Sequence, residues 1–213
     1  MRNISPCFEF AELGRQHVSR SGGNGFAQFA DAAQIQAAVA KIVDAFGGID
    51  VLVNNAFDPT AVLSPILDLS VEQLQRNFEV GPIVYLRFMQ ASYPYLKASR
   101  QGRVINFASP AGISGMTGCD PCKLAREAVR APTRMAAREW GPDRITVNNV
   151  LPVADTWGAA AASIPAPANA LVRFGEPGDD IAPVVLFLAS QDAQFVTGCS
   201  LAPDGGYIID SAR

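Results

Sequence analysis

Cys119-Asp120-Pro121-Cys122 is the first stretch of the chain that invites a chemical reading. Two thiols at this spacing suit a dithiol redox centre or half of a metal site. A redox centre needs its leading cysteine at a helix N-terminus in a thioredoxin-type setting, which nothing around residue 119 signals. A metal site needs a histidine or a second cysteine pair. Cys7 and Cys199 are far off in sequence, and the single His17 lies in an amphipathic stretch that reads as surface. We therefore expect no metal site. Cys122 keeps an interest of its own because Arg126 follows one helical turn later. An isolated thiol titrates at about 8.5, and a neighbouring guanidinium favours the thiolate, a base or a nucleophile. The competing reading is a small apolar side chain that fills space.

A second kind of chemistry, phosphate binding, needs glycines between a strand and the helix that follows it. The one early glycine cluster, Gly22-Gly23-Asn24-Gly25, follows a helical pattern and precedes a strand-like one. It reads as a helix-terminating loop instead.

The elements that must carry these residues come from periodicity. Short apolar runs ending in Gly, Asn or Pro predict strands at 26–30, 50–54, 103–108, 145–150 and 199–202. Longer segments with helical spacing predict helices at 8–21, 33–46, 71–96, 123–140 and 179–189. Such alternation predicts an α/β fold, a parallel sheet covered by helices on both faces. Pro82 and Pro132 fall inside predicted helices, where proline removes a backbone donor and clashes with the preceding turn, so a kink or break is expected at each. The Ala- and Pro-rich residues 158–170 read as a loop.

Composition bounds the rest. At 213 residues, 49% of them hydrophobic and 17% charged, the chain can bury one core without a disulfide or metal staple, and a single domain is expected. A net charge of −3 with no basic cluster argues against a nucleic-acid partner. No apolar run approaches the eighteen or so residues of a membrane span, and the first residues lack a secretory core, so we expect a cytoplasmic protein with no membrane partner.

Several segments, in order, resemble a known family. Gly48-Ile49-Asp50-Val51-Leu52-Val53-Asn54-Asn55-Ala56 is similar to the NNAG motif of the short-chain dehydrogenase/reductase family, with Phe57 in place of the glycine. Gly102-Arg103-Val104-Ile105-Asn106-Phe107-Ala108-Ser109, Ala136-Ala137-Arg138-Glu139-Trp140-Gly141-Pro142 and Ile145-Thr146-Val147-Asn148 continue the likeness. Arg173-Phe174-Gly175-Glu176-Pro177, Val185-Leu186-Phe187-Leu188-Ala189-Ser190 and the stretch from Val196-Thr197-Gly198 to Asp204-Gly205-Gly206 complete it.

The resemblance implies a Rossmann-like, doubly wound parallel sheet, here expected to lack the first βαβ unit with its glycine-rich loop. By the family pattern the helix at 8–21 is the one before the third strand, and the family's acidic, adenine-facing residue falls on Gln28. Strand 26–30 would then pair with 50–54 or with another chain, or the chain would be a truncated product.

The resemblance also implies a tetrad. In this family a Ser steadies the substrate oxygen and a Tyr transfers the proton. A Lys lowers the Tyr pKa and holds the cofactor ribose, and an Asn orders a relay water. Ser109 stands at the first position, and ungapped counting puts Cys122 at the Tyr and Arg126 at the Lys. An alignment using Cys119 and Lys123 instead needs a three-residue deletion. The relay Asn falls on Gly81, with Asn77 one turn too early. Asn54, Ala56 and Thr156 are the remaining cofactor contacts that the resemblance implies, with Val153 replacing a usual glycine.

We therefore expect hydride transfer to be lost and no cofactor to be bound, NAD(P) being an option only with a glycine-rich loop supplied from elsewhere. The main expectation is a non-redox family member acting as a binding or scaffolding subunit. One alternative is a cofactor-independent enzyme using Ser109, Cys122 and Arg126 in acid–base or thiol chemistry on a small molecule, a layout similar to that of halohydrin dehalogenases. The other is an NAD(P)-dependent oxidoreductase acting on a small alcohol or carbonyl. The family further implies a homodimer or homotetramer, formed through the helices at 71–96 and 123–140 and the last strand. Tyr85, Phe88 and Met89 are candidates for either that interface or the core.

Overall fold

Side chains on a strand alternate between its two faces, and here both faces are apolar, the mark of a parallel sheet covered on both sides. The computed structural model describes residues 31–58, 64–118, 121–155 and 168–209. In it, β1 (Val51–Asn54), β2 (Arg103–Phe107), β3 (Thr146–Val150) and β4 (Ser200–Leu201) form one sheet in the order β1-β2-β3-β4. Every described pair is parallel, with Val51 opposite Arg103, Asn54 opposite Asn106 and Val150 opposite Leu201.

Leu52, Val104 and Val147 face one layer, built from α1 (Ala32–Phe46), α3 (Val84–Ser99) and α5 (Pro121–Trp140). Val39, Met89, Leu96, Ala136 and Ala137 fill that side of the core. Val53, Ile105 and Val150 face the other layer, where Ile181 and Leu188 pack from α6 (Ala182–Ala189) and the π-helical turn before it. The expected α/β fold is therefore found, with helices on both faces. The predicted helix at 8–21, the predicted strand at 26–30, the early glycine cluster, Gln28 and His17 lie outside the described residues.

The helix expected at 71–96 is two helices. α2 (Val71–Phe78) starts on Ser70, whose hydroxyl accepts the Gln73 amide at 3.3 Å. A π-helical turn, Glu79–Ile83, then carries Pro82 and leads into α3. Proline has no N–H for the ladder, and the wider turn absorbs the extra residue without ending the helix. Pro132 does not behave alike: α5 runs through it unbroken, with Val129 and Thr133 on either side buried. Tyr85 and Met89, offered as interface or core, are core, at 2% and 1% exposure.

Gly102 lets the chain enter β2 closely packed, since a Cβ there would stand 2.9 Å from the Leu96 carbonyl oxygen and 3.0 Å from Ile145. Among the described residues no helix is long and apolar enough to cross a membrane.

Candidate active site

Arg126 and Tyr85 meet the backbone at the carboxyl ends of β1 and β2. Arg126 lies in the second turn of α5 and reaches across both strand ends. Its Nη1 donates to the Phe107 carbonyl at 2.5 Å and to the Tyr85 hydroxyl at 2.6 Å, and its Nη2 donates to the Asn55 carbonyl at 3.0 Å. The rings of Phe57 and Tyr85 flank the guanidinium, with centroids 5.5 and 5.8 Å from its carbon. Planar geometry and several donors make arginine suited to such a multi-acceptor seat, which a lysine would engage with one nitrogen.

Ser109 follows β2 and is half-buried. Its Oγ accepts the Ala111 amide at 3.2 Å, so its own proton remains for another acceptor. The short α4 (Ala111–Ser114) carries that turn onto α5. Close approach is possible because residue 112 is glycine: a Cβ there would lie 2.7 Å from Glu127 Oε2. Cys122 stands in the first turn of α5, half-buried, one turn before Arg126 and close enough to Tyr85 for its charge to raise the phenol pKa. Pro121 opens the helix, where a missing N–H costs nothing. Cys119 lies outside the described residues.

The other positions divide. Gly81 is buried in the π-helical turn, with room for a Cβ at 3.7 Å from Ala125. Asn54 is buried, and its amide donates to Asn106 Oδ1 at 2.8 Å, so its side chain is committed inside the sheet layer. Ala56 is exposed, and its carbonyl accepts the Tyr85 hydroxyl at 2.9 Å. Asp58 anchors the turn after β1 through an ion pair with Arg76 at 2.7 Å. Thr156 lies outside the described residues.

Tyr85 is the residue that sequence reasoning missed as part of the site. Burial pushes its phenol up to about 12, against a smaller downward pull from the Arg126 charge. Its spacing of four from Gly81 was the available signal, since it places both on one face of a helix.

A separate open cleft of about 620 Å³ lies past β3, lined by Asp155, Arg173, Phe174, Glu176 and Asp180 among others. Arg173 pairs with Asp180 at 2.6 Å and holds its carboxyl down at about 2. Ser109, Cys122 and Arg126 are not among its walls.

Comparison with known proteins decides between the expectations for function. A family model described as enoyl-(acyl carrier protein) reductase matches residues 27–208. A 12alpha-hydroxysteroid dehydrogenase of a Clostridium species is 36% identical over 181 residues, covering 81% of this chain and 69% of that protein. A 2,5-dichloro-2,5-cyclohexadiene-1,4-diol dehydrogenase of Sphingobium indicum is 32% identical over 211 residues, covering 92% and 83%. A 3-oxoacyl-[acyl-carrier-protein] reductase of Thermotoga maritima is 31% identical over 185 residues, covering 84% and 74%. These relatives are named for dehydrogenation or reduction. That overturns the expectation of a non-redox binding or scaffolding subunit. The expectation that no cofactor is bound falls with it, because a dehydrogenase or reductase must exchange electrons with a carrier. The matched stretch includes Ser109, Cys122 and Arg126 and both strand ends they meet. The chain belongs to the short-chain dehydrogenase/reductase family.

Proposed function

We propose that this chain is an NAD(P)-dependent oxidoreductase that interconverts a small secondary alcohol and its carbonyl. The observation that carries this reading is the Arg126 guanidinium, pinned across the ends of β1 and β2 beside the Ser109 turn. Open parallel sheets bind ligands outside the carboxyl ends of their strands. By the resemblance, this is the position of the cation that holds the cofactor ribose. The residues fit that end of the cofactor: the Asn55–Ala56 backbone is exposed, and Arg126 retains N–H bonds beyond those given to protein oxygens. Arg126 would hold the ribose, and a bound nicotinamide supplies the hydride acceptor or donor.

The protein's own part is orientation and proton transfer. Ser109 donates its hydroxyl proton in a hydrogen bond to the substrate oxygen and thereby orients it. Cys122 exchanges a proton with the same oxygen: its thiolate takes one as an alcohol is oxidised, and its thiol returns one as a carbonyl is reduced. The names of the relatives support the substrate class, since a hydroxysteroid, a cyclic diol and an oxoacyl group each carry a hydroxyl or oxo group on a carbon skeleton.

Oxidation of a panel of cyclic and acyclic secondary alcohols with NAD+ and NADP+, followed by nicotinamide absorbance, tests the reading. Slow turnover is expected from the natural chain, and Cys122→Tyr is expected to raise kcat by roughly 10²-fold, the usual worth of a well-placed general acid–base group. Failure of both proteins to reduce either dinucleotide at millimolar concentration would overturn it.

A further inference from the structure

We infer that Tyr85 is the positioning residue of this site, fixing the Arg126 guanidinium at the strand ends so that it meets the dinucleotide ribose. The inference rests on the role proposed above for Arg126.

The hydrogen bonds of Tyr85 have only one polarity. The Ala56 carbonyl can only accept, so the phenol donates its single proton there, at 2.9 Å. Arg126 can only donate, so Nη1 gives a hydrogen to the phenol oxygen at 2.6 Å. The second Nη1 hydrogen goes to Phe107 O and one Nη2 hydrogen to Asn55 O. Tyr85 thus links the turn after β1 to α5, and the guanidinium is held from three sides while two rings flank it. Without the phenol oxygen, Nη1 keeps only the Phe107 carbonyl and Nη2 only the Asn55 carbonyl, and the flexible side chain loses its one side-chain acceptor, the contact that holds it against α3.

Tyr85 does not replace the phenol that the family carries at position 122. It is 2% exposed, and its proton is committed to a backbone carbonyl, so it acts through Arg126 and not on substrate. Its raised pKa keeps it protonated through the working range. The π-helical turn at Glu79–Ile83 sets the phase of α3 that brings this ring under the strand ends.

The experiment uses the full chain in two measurements. Side-chain ¹⁵N NMR of the cofactor-free protein, with the Arg126 signals assigned from Arg126→Lys, reports whether the guanidinium is locked. Separate, slowly exchanging Nη signals are expected in the natural chain, collapsing to one averaged signal in Tyr85→Phe. NADH fluorescence titration supplies the second measurement. Tyr85→Phe is expected to weaken binding roughly tenfold, the scale of a lost hydrogen bond to a charged group. In an Arg126→Lys background the same substitution is expected to change binding by less than about twofold, because the two act as a unit.

An averaged Nη signal in the natural chain, or signals that survive Tyr85→Phe unchanged, would overturn the inference whatever the variants' stability. So would an equal loss of NADH binding in both backgrounds, which marks a merely structural role. If the natural chain binds no NADH, the proposed function fails, while the NMR comparison still decides whether Tyr85 locks Arg126.

Discussion

Ser109, Cys122 and Arg126 are offered as candidates by counting along one chain segment, and the structure puts Arg126 at the ends of β1 and β2. Tyr85 is not offered in this way, because its role arises from a contact between residues 41 apart in sequence, and a tyrosine within an apolar helical stretch reads first as packing. Its environment has a measurable consequence. Burial raises the native phenol from an ordinary value of 10.0 to about 12, so between those values the folded chain holds a proton that the unfolded chain releases. The associated stability is fully present below about pH 10 and is lost as pH rises toward 12, by roughly 2–3 kcal/mol in all. Urea denaturation between pH 9 and the alkaline limit of folding should show a steeper decline for the natural chain than for Tyr85→Phe. Parallel declines would mean that the phenol is not buried as described.

At the scale of elements, the apolar runs located all four described strands to within a residue or two, since each is a short apolar run bounded by turn residues, with β2 and β3 buried on both faces. The helix at 71–96 was the larger miss. Proline 82 signalled an interruption, but periodicity cannot distinguish a break from a π-helical turn that passes the helix on with a new phase. Nor did the strand pattern reveal that β2 and β3 carry a polar row within an otherwise apolar layer. Asn106 accepts from Asn54 at 2.8 Å and donates to Thr133 Oγ1 at 2.9 Å, and Thr133 donates to Asn149 at 2.8 Å. All four residues are buried, so the row ties β1, β2, β3 and α5 together directly beneath the candidate site. Asn106→Leu would leave the Asn54 amide without its acceptor. It is expected to lower stability by about 2–4 kcal/mol in chemical denaturation, as buried polar groups do when stranded. A loss within experimental error would show that the row contributes nothing net.

At the scale of the whole molecule, fold and family could be read from an ordered series of motifs, whereas function was misjudged. Replacement of tetrad residues at 81, 122 and 126 argues for loss of redox chemistry, yet relatives named as dehydrogenases and reductases align along most of the chain. Residue identities at single positions carry little weight against the architecture that places them: β1 and β2 still run parallel, and Arg126 still bridges the ends of both with a charge. Direct titration of the purified chain with NADH and NADPH, watching nicotinamide fluorescence and heat, tests this most directly. Saturable binding in the micromolar range, abolished by Arg126→Met, is the predicted result. Absence of binding at millimolar cofactor, or binding indifferent to Arg126, would contradict the account.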